Sequence, residues 1–135
     1  MSYLKIKVMY ITKIGEGILE VPQISKENII KRGLYTLVYK GKVIKVGCFG
    51  EGVTSNNKTR FNSYRTIGKN VIPTANGSYK TMKVLNENLK VGEKVEVIFK
   101  KLPTDIYMDG FWWKVDLYRE EEKLKKEFKD SLWLT

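Results

Sequence analysis

No histidine occurs anywhere in the sequence, and Cys48 is its only cysteine. Zinc sites, cysteine–histidine catalysis and serine–histidine–aspartate triads are thereby excluded. So is an internal disulfide, which fits a reducing compartment. Any metal has to sit on oxygen ligands, which favours a hard cation such as magnesium or manganese. Long hydrophobic runs are missing too: those in Tyr3–Thr12 and Leu34–Val46 are strand-length and broken by lysine. Nothing resembles a signal peptide or a spanning helix, so a soluble, intracellular (cytoplasmic) protein with no membrane association is expected. Acidic residues are scarce: 15 Asp and Glu stand against 25 Lys and Arg, a net charge of +10. A partner carrying phosphates explains such an excess, as does a basic but inert surface. Six cations fall between Glu51 and Lys83 against that one glutamate, half of the net charge in a quarter of the chain.

What is present reads as one domain over residues 1–135, too short for two comfortable cores. Alternation predicts a strand over Tyr3–Thr12 with Leu4, Ile6, Val8 and Tyr10 on one face, then a turn at Gly15-Glu16-Gly17 and a strand Ile18–Val21 stopped by Pro22. Ser25 can cap a short helix from Lys26 to Lys31. A hairpin, Leu34–Tyr39 with Lys42–Val46, precedes a glycine-rich loop, Gly47–Gly52, and a helix capped by Thr54 or Ser55 that runs to about Ile67. Ser78 is placed to cap a further helix with Met82, Leu85 and Leu89 on its apolar face. A strand with Val95, Val97 and Phe99 on one side follows, then a loop over Pro103–Gly110 and a helix from Trp112 to about Phe128. Trp112 and Trp113 read as core anchors. The order predicts an α+β fold, a small and mostly antiparallel sheet flanked by helices.

Which side chains share a face of the hairpin depends on its turn. A two-residue loop, Lys40-Gly41, needs a left-handed conformation at lysine, whereas the three-residue loop Tyr39-Lys40-Gly41 needs it only at Gly41. The second pairs Val38 with Lys42, Leu37 with Val43 and Tyr35 with Lys45, about 5 Å apart. A lysine there lowers the pKa of the phenol, so Tyr35 could accept a proton from water; the alternative is an ordinary edge pair with Lys45 reaching solvent. On the last helix Glu121 falls inside the apolar stripe Leu117, Leu124, Phe128, while Glu120 and Glu122 fall off it. A carboxylate on that side is costly unless it binds a metal, finds a partner such as Lys45, or reaches water at a rim. Arg60 and Tyr64 lie four apart on one helix, suited to gripping a phosphate or to stacking on each other.

Together these residues resemble the GIY-YIG nuclease family. Gly33-Leu34-Tyr35 stands for its first motif and Lys45-Val46-Gly47 for its second, followed in the family's order by Arg60, Tyr64 and Glu121. The resemblance runs from about Gly33 to Trp133. Residues 1–32 match no family motif and form an N-terminal strand and helix extension. Lys45 departs from the second motif's tyrosine, and Trp133 is followed by Leu134 where the family often carries asparagine.

The resemblance implies a metal-dependent endonuclease acting on DNA, most naturally double-stranded. In it Tyr35, assisted by Lys45, takes a proton from the attacking water. Arg60 and Tyr64 hold the phosphate, and Glu121 binds magnesium or manganese. Asn56, Asn57, Lys58, Arg65, Lys69, Lys80 and Lys83 are candidates for nucleic-acid contact. One site per chain means that cutting both strands calls for a homo-oligomer or two successive nicks. By analogy a phage or mobile-element origin is compatible. The competing readings are a catalytically inactive nucleic-acid-binding module and a basic RNA-binding protein.

Overall fold

A computed structural model describes residues 5–50 and 56–134. Five strands form one antiparallel sheet in the order β2-β1-β5-β3-β4: β1 (Lys5–Gly15), β2 (Ile18–Glu20), β3 (Gly33–Tyr39), β4 (Lys42–Phe49) and β5 (Lys94–Lys101). Two further strands, β6 (Asp105–Met108) and β7 (Phe111–Lys114), pair only with each other. Helices α1 (Asn57–Gly68), α2 (Ser78–Asn88) and α3 (Leu117–Glu127) complete the architecture. None of the described helices is long and apolar enough to cross a membrane. The expected fold class is therefore observed.

The sheet is covered on both faces. On one, Tyr35, Leu37, Phe49, Val97 and Phe99 pack with Phe61 and Tyr64 of α1 and Met82 and Leu85 of α2. On the other, Leu34 and Val46 pack with Leu117 and Leu124 of α3. Alternation in β5 serves this division, because Val95, Val97 and Phe99 are all fully buried on one side. In β1 the buried face is Met9 and Ile11, the opposite parity to that expected at Tyr10, which lies outward beneath the Lys94 ammonium, 4.2 Å from its ring centre. Leu4 and the capping read at Thr54 or Ser55 lie outside the described residues, as do the side chains of Ile6 and Val8.

The β3–β4 hairpin departs from expectation in a way that matters below. Lys40 (φ 49°) and Gly41 (φ 79°) are both left-handed, so the loop has two residues and pairs Tyr39 with Lys42 and Val38 with Val43. Such a loop matches the right-handed twist of its strands, and Lys40 offsets some of the strain by lying 3.4 Å from Glu93 and over the Tyr39 ring. The extra residue appears one pair further along instead, as a bulge at Ile44 between the pairs Val38–Val43 and Leu37–Lys45. The main-chain carbonyls of Val43 and Ile44 are taken up by the Ser131 hydroxyl (2.6 Å) and the Trp133 N–H (2.8 Å) from the segment after α3.

Several other boundaries moved for local reasons. Lys26–Asn28 makes only a 3-10 turn, with the Ser25 hydroxyl accepting from the Asn28 side chain. Asn56 caps α1 by accepting from the Thr59 N–H, and Asn76, one residue before the cap position Gly77, accepts from the Ser78 N–H, so Ser78 does not cap α2. Asp109 and Gly110 both take positive φ and close the β6–β7 hairpin, as an Asp-Gly pair between apolar residues favours. Helix α3 consequently begins at Leu117, capped by Asp116, and Trp112 and Trp113 lie on an exposed strand rather than in the core.

Asn57 is fully buried: its side-chain oxygen accepts from the Ile30 and Lys58 N–H groups, and its nitrogen donates to the Asn28 carbonyl. Asn57→Ala leaves the Ile30 N–H and Asn28 carbonyl without partners, an expected cost of about 2–4 kcal/mol. Urea unfolding should show a lower midpoint at unchanged slope; an unmoved midpoint would refute the assignment.

Candidate functional site

The edge strand β4 is where the two faces of the sheet meet. Parity explains what gathers there. The bulge at Ile44 turns Lys45 to the side of Leu37 and Tyr35; a bulge-free two-residue hairpin would have turned it towards α3. Tyr35 and Lys45 share a face as expected, but as diagonal neighbours, because Tyr35 sits opposite Gly47. A Cβ on Gly47 would lie 2.2 Å from the Tyr35 ring and 2.4 Å from its oxygen. The ring therefore lies directly over the glycine.

A cleft of about 190 Å³ opens over this point. It is lined by Tyr35 of β3, Lys45, Gly47 and Cys48 of β4, Arg60 and Tyr64 of α1, Ser78 and Thr81 of α2, and Glu121 and Lys125 of α3. The five residues singled out from sequence as the chemical centre thus converge. Gly47 entered only as part of the second motif, and Ser78, Thr81 and Lys125 were not assigned to the site; for the last, the i,i+4 spacing from Glu121 was the available signal.

The environment of each group follows from what surrounds it. Tyr35 is buried, and its oxygen lies 2.5 Å from that of Tyr64 in a hydrogen bond. Burial first, then the Tyr64 hydroxyl, hold its pKa well above the usual phenol value, with Arg60 opposing and Glu121 adding slightly. The expectation that Lys45 makes a phenolate of Tyr35 is therefore corrected. Lys45 itself is pushed below its ordinary value by burial, with Lys125, Arg60 and Lys80 also lowering it and Glu121 raising it. Glu121 faces inward, its side chain 14% exposed, and lies 3.6 Å from the Lys125 ammonium, which also approaches Glu122 at 3.7 Å. The stripe position read from the sequence is correct, and the partner is Lys125 rather than Lys45. Burial and a hydrogen bond to the Glu121 carboxylate push the Cys48 thiol up to about 12, so it is a packed donor rather than a nucleophile at neutral pH.

Four cations (Lys45, Arg60, Lys80 and Lys125) thus act in or beside the cleft against Glu121. Among the cations proposed for nucleic-acid contact, Lys80 stands close enough to depress Lys45. At about 100° per residue, Lys58, Arg65 and Lys69 lie on the flank of α1 roughly opposite Arg60. Lys83 pairs with Glu87 at 3.8 Å on an exposed face of α2. Asn56 is occupied as a helix cap, and the burial of Asn57 withdraws it from any surface role.

No family model matches the sequence, and no curated protein matches it. Among solved structures, the fold is similar to that of bacteriophage T4 EndoII, a GIY-YIG nuclease, seen in a glutamate-to-alanine mutant. The TM-score is 0.61 at 18% identity, over 98% of this chain and 92% of that one. At such identity the likeness is one of fold, the α+β arrangement that the order of elements predicted.

Two outcomes follow from this geometry. A tyrosine ionises near 10 when unfolded, and Tyr35 ionises higher when folded. Its contribution to stability is complete below about pH 10 and is lost as pH rises from there towards the folded value. Unfolding free energy should fall above about pH 10, and more shallowly in Tyr35→Phe; equal slopes would contradict the burial argument. Gly47→Ala should displace the Tyr35 ring and cost about 1–3 kcal/mol. Thermal unfolding checks this, and a variant as stable as the parent would show that the ring does not rest on Gly47.

Proposed function

We propose that this protein is a metal-dependent endonuclease that hydrolyses DNA phosphodiester bonds by tyrosine-assisted attack of water. The convergence of a phenol, a guanidinium, two lysines and a carboxylate in one cleft carries the proposal. The net charge of +10 and the likeness in fold to a phage endonuclease support it.

A divalent cation fits the donors present. Glu121 offers one hard carboxylate turned into the cleft, and no cluster of three metal-ligating side chains exists among the described residues. Magnesium or manganese would be held by Glu121 with water and substrate phosphate, the mode of a weakly preorganised site. When bound, such an ion neutralises phosphate charge and eases departure of the leaving oxygen.

The chain's own groups do the rest. Arg60 presents its fork to two phosphate oxygens and stabilises the charge that develops on them. Tyr35 stays protonated at rest, so it orients the attacking water through its oxygen instead of waiting as a phenolate. The hydrogen bond shared with Tyr64 fixes that oxygen in place. Lys45, whose ammonium releases its proton more readily because of burial and neighbouring cations, can receive the water's proton in its neutral form. Lys125 and Lys80 add attraction for the backbone on either side. The substrate is double-stranded DNA in this proposal, and each chain cuts one strand per encounter.

Supercoiled plasmid incubated with magnesium or manganese should be nicked by the parent protein. Tyr35→Phe, Arg60→Ala and Glu121→Ala should each slow nicking by about 10²-fold or more while DNA binding changes far less. Near-normal turnover by Glu121→Ala would remove the metal from the scheme. Tight binding by the parent with no nicking in either ion would replace the enzyme with an inert nucleic-acid binder.

A further inference from the structure

The start of α2 forms one wall of the cleft, through Gly77, Ser78 and Thr81. Ser78 is 8% exposed and Thr81 4%, yet neither hydroxyl has a hydrogen-bond partner among the described residues. Thr66 on α1 shows the usual recourse of a helical threonine, donating at 3.0 Å to the Asn62 carbonyl four residues back. Thr81 does not take it. Among the described residues no buried side-chain oxygen or nitrogen is sealed from both partner and solvent. The unbonded hydroxyls of these two buried residues are therefore open to the cleft they line. The helix end behind them is not neutralised either. Gly77, at the cap position, has no side chain to offer, and no acidic residue lies in the first turn. Of the N–H groups that a helix leaves unbonded at this end, Asn76 takes those of Ser78 (2.9 Å) and Tyr79 (3.0 Å). The positive end of the helix dipole thus stands at the cleft with no carboxylate of its own. Gly77 leaves room in front of it, since a Cβ there would meet nothing within 4 Å.

We infer that the Ser78 and Thr81 hydroxyls, at this helix end, seat one phosphate of the nucleic-acid backbone, flanking the phosphate that Arg60 grips. Two neutral donors in front of a helix N-terminus suit the oxygens of a singly charged phosphodiester. Long lysine side chains in and beside the cleft supply attraction but little direction. Short hydroxyls fixed by burial on a helix supply direction without further charge, and so set the register of the strand against Tyr35 and Glu121. The seat belongs to the nucleic-acid reading of the cleft and needs no catalysis.

Fluorescence anisotropy of a dye-labelled DNA duplex, with EDTA present so that no strand is cut, tests it on the full chain. Thr81→Val keeps the shape of the side chain and removes the hydroxyl, so affinity for the duplex should fall about tenfold, and Thr81→Ser should restore it. The slope of log affinity against log salt should stay that of the parent, because no cation is lost. The melting temperature of Thr81→Val should hold or rise, since the hydroxyl has no partner within the fold. Gly77→Asp places a carboxylate where it favours the helix and repels a phosphate; it should weaken duplex binding without lowering the melting temperature, and Gly77→Asn should bind as the parent does. Unchanged affinity in Thr81→Val would overturn the inference, as would an affinity loss accompanied by a lower melting temperature, which would make the hydroxyl part of the fold. If duplex binding were unchanged while inorganic phosphate, at matched ionic strength, raised the melting temperature of the parent but not of Thr81→Val, the seat would belong to free phosphate instead. A parent that bound no duplex at all would remove the nucleic-acid reading of the cleft itself.

Discussion

One bulged residue sets the geometry on which the cleft depends. Ile44 has no partner on β3, and its presence shifts every later residue of β4 by one, which carries Lys45 to the side of Tyr35 and sets Gly47 beneath the phenol ring. A bulge costs a break in the ladder, so something must hold it. Here the chain after α3 does so: the Ser131 hydroxyl and the Trp133 N–H occupy the carbonyls of Val43 and Ile44, and the Trp133 ring lies against Tyr39. The residue that stands where the resemblance led one to look for a tryptophan before asparagine therefore has a structural duty at the strand edge.

Burial and charge pull in different directions at the site, and each wins at a different residue. Around Tyr35 burial wins, and the phenol stays protonated despite Arg60 nearby. At Lys45 burial and like charge act together, and both favour the neutral amine over the ammonium. Glu121 escapes isolation because Lys125 is one turn further along the same helix and Cys48 donates from the strand below. The cleft thereby assembles donors for an anion from four elements while spending a single carboxylate. Three helices and an edge strand give it the rigidity that side chains on one loop would lack.

Period and spacing made much of this legible. The stripe Leu117, Leu124, Phe128 correctly turned Glu121 inward, and the four-residue spacing correctly put Arg60 and Tyr64 on one face of α1. The hairpin was harder, because local rules weigh lysine against a left-handed position, while the twist of the strands and the distant Ser131–Trp133 segment decide the matter. The shared face survived since a one-residue bulge and a three-residue loop give the same parity. Asn57 was misread because a buried asparagine and a solvent-facing one are alike in sequence, and only the 28–30 segment, far off in the chain, tells them apart. Trp112 and Trp113 misled through their size alone: bulk suggests a core, yet the Asp109-Gly110 turn before them was the better guide.

The tether from residues 131–133 to the bulge spans 88 positions of sequence at Ser131. Translation delivers β3, β4 and α1 well before α3 and that tether leave the ribosome. A growing chain thus acquires Lys45, Arg60 and Lys80 early, and Lys125 and Glu121 late, together with the clamp that fixes the register of β4. Completion of the site consequently waits for α3 and the segment after it, while the β3–β4 hairpin can pair locally beforehand.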